Sequence, residues 1–183
     1  MREQSTPAGQ PIIEAEQFIL RPLELADTGV LALYAGDERV ARSTSSIPHP
    51  LPPGSTEAFV ERALAADRTE DVWAIDGTAA GTAGLLGVVS LERMEHKSRV
   101  QSEIGYWVAP AFWNAGVASR AVAALVAANP QGCDTIFAEV FQDNPFSARV
   151  ITNAGFEYLG DAEAYSVARA AAVPTWTYMK KYI

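Results

Sequence analysis

The sequence holds one cysteine, two histidines and no surplus of cations. Each shortage removes a class of function. The lone thiol, Cys133, has no partner for an intramolecular disulfide, and with His49 and His96 it forms no spacing that resembles a zinc ligand set, so no metal is expected. Fourteen Lys and Arg against 22 Asp and Glu give a net charge of −8. Sequence-independent binding to nucleic acid or to an anionic membrane needs surplus cations, and neither is expected here; the sign favours a cationic partner. The longest clean apolar run, Ala121 to Ala128, covers eight residues, well short of a bilayer span. Phosphate-loop signatures also fail: there is no GxxxxGK[ST], and Ala83 fills the place of the second glycine of a GxGxxG. The first residues lack the apolar core of a signal peptide. They read as a mobile tail over 1–11 ahead of one domain over 12–183, in a cytoplasmic protein.

What is present fits one ordinary globular domain: 183 residues, 49% apolar and 20% charged. Phe18 to Arg21 alternates into Pro22 as a short first strand. Asp27 is placed to cap a helix carrying Leu31, Leu33 and Tyr34. Residues 43–54 hold four prolines and read as a rigid loop. Ser55 or Thr56 would cap a second helix, with Phe59, Val60, Ala63 and Leu64 on its buried stripe. Asp71–Ile75 and Leu85–Leu91 form a hairpin, and Ser102–Ala109 is a further strand ended by Pro110. A helix over 117–128 leads to Thr135–Phe141, apolar on nearly both faces and so central. A short helix over 144–154 and a hairpin of 158–167 with 175–182 close the chain. The order predicts a mixed α/β, or α+β, single domain with one crossover through the 117–128 helix.

Two stretches are the most informative. In Glu103 to Ala128 a strand ends and a turn of small residues opens a helix. Free N–H groups and the helix dipole there make an anion site suited to a diphosphate, although a tight turn that needs Gly116 for its backbone angles accounts for the same residues. In Asn144 to Phe156, Asn144 reads as N-cap, Pro145 as first helical residue and Gly155 as the C-terminal stop. Phe146, Val150, Ile151 and Ala154 would form its buried stripe.

Together the stretches resemble the GCN5-related N-acetyltransferase superfamily, in particular its branch of ribosomal-protein alanine and serine acetyltransferases. The resemblance rests on Glu103-Ile-Gly-Tyr-Trp107 followed by Pro110-Ala-Phe-Trp-Asn-Ala-Gly-Val-Ala118. Asn144, Ser147, Arg149, Val150, Gly155 and Phe156 then follow in order, and Leu20-Arg-Pro-Leu23 with Asp27 fits the opening. It implies a splayed mixed sheet flanked by helices, and acetyl transfer from acetyl-CoA to a primary amine, either a small molecule or a protein N-terminus. By the same resemblance Trp113, Asn114, Ala115, Gly116, Val117, Ala118 and Ser119 would hold the diphosphate. Trp107, Val108 and Ala109 would pair with the pantetheine arm, and Asn144 and Ser147 would touch that arm or its sulfur. The tyrosine that many relatives use as acid is Ile151 here. Ser147, another tyrosine or solvent must then protonate the leaving thiolate. A homodimer is compatible with this reading, and the rival function is a non-catalytic acyl-CoA-binding or dimerisation module.

Glu103 is the candidate base. Strand alternation sets it with Gly105 and Trp107, where apolar neighbours would raise its pKa; a strand-end glutamate in solvent or in an ion pair is the other reading. Arg120 is a further candidate for phosphate and His49 for an acceptor contact. Trp73 reads as core; the aromatics Tyr106, Trp107, Phe112 and Trp113 read mostly as core, with lining of the acceptor pocket as the other reading, and Cys133 reads as a buried thiol.

Overall fold

The computed structural model describes residues 7–82 and 84–182. Eight strands form one mixed sheet in the order β1-β2-β3-β4-β5-β6-β8-β7. They are β1 (Ile13–Ala15), β2 (Phe18–Pro22), β3 (Glu70–Asp76), β4 (Leu85–Met94), β5 (Gln101–Val108), β6 (Thr135–Phe141), β7 (Glu157–Ser166) and β8 (Ala171–Lys181). The helices are α1 (Thr28–Ala35), α2 (Glu38–Ser43), α3 (Ser55–Leu64), α4 (Val117–Ala128) and α5 (Pro145–Asn153). The expected α/β architecture is borne out; β1 and α2 were not foreseen.

Strand alternation sorts the core into two layers. Trp73, Ile75, Val89, Leu91, Ile104 and Val108 face α4, where they meet Ala121, Val122 and Leu125. The alternate residues Val72, Ala74 and Val88 pack with Leu31 of α1 and Val60 of α3 on the other face. Both faces of β3 are thus covered, which is why EDVWAID lacks a polar side.

Some local expectations need correction. Asp27 precedes α1, but its carboxylate caps no α1 amide; it binds both terminal nitrogens of Arg21 at 2.8 and 2.9 Å and the Glu24 N–H at 2.8 Å. Gly54, at φ +79, holds the cap position of α3, and the Ser55 hydroxyl instead donates to the Pro52 carbonyl. Leu33 and Phe146 are exposed, not core. Of the tail, residues 1–6 lie outside the described residues. The following residues are docked, with Gln10 buried and donating to the Val72 carbonyl and Pro11 accepting from the Trp73 indole.

β5 and β6 are parallel neighbours, joined through α4, and their pairing covers only Gln101↔Thr135 to Ile104↔Ala138. Beyond Ile104 the two strands no longer pair. That gap positions everything that follows.

Candidate active site

On the α1–α3 face, three successive rungs cross β3, β4 and β5. Ala74, Val88 and Trp107 are aligned, then Val72, Ser90 and Gly105, then Glu70, Glu92 and Glu103. The first rung is core. The second is a low floor, since a Cβ on Gly105 would come within 3.2 Å of Ser90 Oγ. The third puts three carboxylates side by side, an arrangement that costs stability wherever like charges face each other across strands. Glu139 of β6 joins them, its carboxylate accepting from the Thr175 hydroxyl at 2.7 Å.

All four glutamates line one cavity of about 740 Å³ that also reaches Arg62, Tyr106, Trp107, Asn144 and Ser147. None of the four forms an ion pair among the described residues. Burial pushes the Glu103 carboxyl above the ordinary carboxylate range, and the charges of Glu139, Glu92 and Glu70 add to the rise. Glu70 is raised as well, by burial first, against a lowering contribution from the Ser90 hydroxyl. A cleft that resists ionisation in this way is suited to a cation or a mobile proton.

The far side of the gap belongs to α5. The Asn144 side chain accepts from the Ser147 N–H at 3.2 Å, with Pro145 as first helical residue and Gly155 at φ +88 ending the helix. Ser147 Oγ lies 2.5 Å from Tyr106 Oη. Burial pushes the Tyr106 phenol up to about 12, its bond to Ser147 opposing the rise.

A third feature lies past the end of β5. Asn114 and Gly116 both have positive φ, +61 and +73, and α4 starts directly after them. The N–H groups of Val117, Ala118 and Ser119 have no backbone acceptor among the described residues. The Arg120 guanidinium folds over the turn, so a Cβ on Gly116 would meet its Nη1 at 2.9 Å. Its Nε is buried without a partner. Free amides at a helix start beside an orphaned guanidinium nitrogen suit a phosphate group.

The sequence-selected residues therefore fall into two groups. Glu103, Trp107, Asn144 and Ser147 line the cavity, while Trp113 to Ser119 form the turn outside it. On β5, the Ala109 N–H is spent on the Leu86 carbonyl, and the Val108 carbonyl accepts from the Trp113 indole at 2.7 Å. By alternation, the groups of Tyr106 and the Val108 N–H point into the gap, whereas those of Trp107 point to β4. His49 is exposed and outside the lining; Cys133 and Trp73 are buried. Glu70, Glu92 and Glu139 were not selected from sequence; strand register alone could have flagged them.

A family model described as an acetyltransferase (GNAT) domain matches residues 17–157. The chain belongs to the GNAT acetyltransferases. It is an N-acetyltransferase, with acetyl-CoA as co-substrate. It is 29% identical over 163 residues to the uncharacterized N-acetyltransferase YoaA of Bacillus subtilis, covering 85% of this chain and 88% of that one. Its fold is similar to RimL, a ribosomal L7/L12 alpha-N-protein acetyltransferase in complex with CoA (TM-score 0.78, 17% identity, 93% of this chain and 98% of that one). It is also similar to a spermidine N-acetyltransferase of Vibrio cholerae with CoA and spermine (TM-score 0.74, 16% identity, 90% and 95%). No helix among the described residues is long and apolar enough to cross a membrane.

Proposed function

We propose that this acetyltransferase works on the primary amine of an acceptor carrying further positive charge, either a small amine or a basic peptide N-terminus, in the cytoplasm. One observation carries the reading: Glu70, Glu92 and Glu103 aligned across three strands, with Glu139 beside them and no ion pair to any of the four among the described residues. Asp71, on the opposite face of β3, shows the contrast. It is buried yet held by Arg68 and Arg93 at 2.7 and 2.8 Å. Where a carboxylate serves the fold, the chain supplies guanidinium groups; along the ladder the one guanidinium among the described lining residues is that of Arg62 at the cleft wall.

The residues present fit the co-substrate. The turn Trp113-Asn114-Ala115-Gly116 and the amides of Val117, Ala118 and Ser119 would hold the diphosphate, with the Arg120 guanidinium, whose Nη1 lies over Gly116, beside it. Tyr106 and Val108 offer backbone groups to the amide-bearing arm, with Trp107 and Ala109 flanking them. Asn144 and Ser147 would stand at the sulfur. When bound, acetyl-CoA supplies an acetyl thioester. Glu103 takes the proton that an ammonium must lose before its nitrogen can attack, and a carboxyl raised above its ordinary range is better matched to that task. Ser147 supplies a hydroxyl to the departing sulfur.

The test is thiol release from acetyl-CoA with three acceptors: an alkyl monoamine, a diamine of equal length, and a peptide with a basic residue near a free N-terminus. The diamine or the basic peptide should exceed the monoamine by about tenfold or more in kcat/KM. Equal rates for all three would overturn the charge argument.

A further inference from the structure

Position 151, where the resemblance leads one to look for a phenol acid, holds an isoleucine that is fully buried. A phenol arrives at the same neighbourhood from the opposite wall. Tyr106 Oη is 2.5 Å from Ser147 Oγ and 3.3 Å from the Ser147 carbonyl oxygen. Both residues line the cavity, and Tyr106 stands two positions past Ile104, where β5 and β6 stop pairing.

We propose that Tyr106 is a positioning residue: its phenol donates to Ser147 Oγ and thereby turns the serine's own proton toward the leaving sulfur in the gap between β5 and β6. This rests on the reading of Ser147 as the residue at the sulfur. A serine hydroxyl rotates to suit its neighbours. One donor fixed against its oxygen removes that freedom, because the proton must then point elsewhere. The phenol has one proton, and of the two Ser147 oxygens within its reach Oγ at 2.5 Å is the nearer acceptor and the carbonyl at 3.3 Å the farther; burial keeps that proton on the phenol.

The proton balance closes on this assignment. The amine nitrogen bonds to the acetyl carbon as the C–S bond breaks, and that bond's electron pair stays on sulfur. Two protons leave the ammonium nitrogen, the first through Glu103 and both finally to solvent. Sulfur takes one proton from Ser147 Oγ, which solvent restores, so one proton is released per acetyl transferred.

The test uses the full chain and a readout that packing alone does not move, the thiol pKa of bound free CoA followed by its ultraviolet thiolate absorbance. A donor to sulfur stabilises the thiolate, so the wild type should hold the bound thiol below its value in free CoA. Tyr106→Phe keeps the ring. It should raise the bound thiol pKa, as Ser147→Ala should, and the double variant should raise it no further than either alone. In turnover, Tyr106→Phe should lower kcat about tenfold while the acetyl-CoA Kd stays within about twofold. A bound thiol that responds to Ser147→Ala but not to Tyr106→Phe would overturn this proposal and leave Ser147 at the sulfur. A bound thiol indifferent to both would overturn the placement of Ser147 and this proposal with it.

Discussion

Glu103 shares its strand end with like charges and forms no ion pair of its own among the described residues. Its raised carboxyl pKa makes two predictions of opposite sign for one substitution. As the proposed base it must be ionised, so the acid limb of the kcat/KM profile, which reports the unliganded enzyme, should lie above the ordinary carboxylate range, and Glu103→Gln should lower kcat/KM and abolish that limb. An unchanged profile would return Glu103 to a structural role. For stability, the folded chain holds this proton to higher pH than the unfolded chain does. Stability is therefore lost as pH rises from the unfolded to the folded pKa, and ionised Glu103 remains a cost above it. Glu103→Gln should thus raise Tm at neutral pH by about 1–2 °C, checked by calorimetry at two pH values. The face on which Glu103 lies was readable from alternation alone. Its company was not, because Glu70 and Glu92 are 33 and 11 residues earlier in the chain and meet it only through strand register. Tyr106 was read as core for a related reason: an aromatic at a buried parity gives no sign that a hydroxyl waits across the gap.

Elements were most legible where both ends were marked. The helix over 117–128 and the strand over 135–141 match α4 and β6, and Asn144, Pro145 and Gly155 bracket α5 as their residue types predict. Faces were harder. Leu33 lies about 200° around a helix from Leu31, and Phe146 about 140° from Ile151, so only one of each pair reaches the core. The type of Asp27 suits a cap because caps and buried ion-pair anchors draw on the same side chain, and only the fold, which brings the distant Asp76 onto Arg21 beside it, decides between them. The turn before α4 carries a prediction of its own. Gly116→Ala forces a side chain into the left-handed region and against Arg120, at a cost of about 1–2 kcal/mol, or about 3–6 °C in Tm. It should also weaken acetyl-CoA binding about tenfold or more. Full affinity in the folded variant would remove the turn from the diphosphate site.

At the scale of the whole molecule, one interruption organises the chemistry. A sheet whose central strands are packed on both faces opens where β5 and β6 part, and the opening joins an acid-lined cleft on one face to Ser147 on the other wall. The net charge of −8 favours a cationic partner on general grounds without saying where one would bind. On the proposed reading that place is the ladder of glutamates that form no ion pair among the described residues, and the ladder is the account's central claim. The most direct measurement is calorimetric titration of a diamine into the CoA-loaded chain, in wild type and in Glu70→Gln/Glu92→Gln, at low and moderate salt. The account predicts wild-type binding that weakens with salt and an affinity about tenfold or more lower in the double variant, with CoA affinity unchanged. Equal diamine affinity in the two proteins would contradict it.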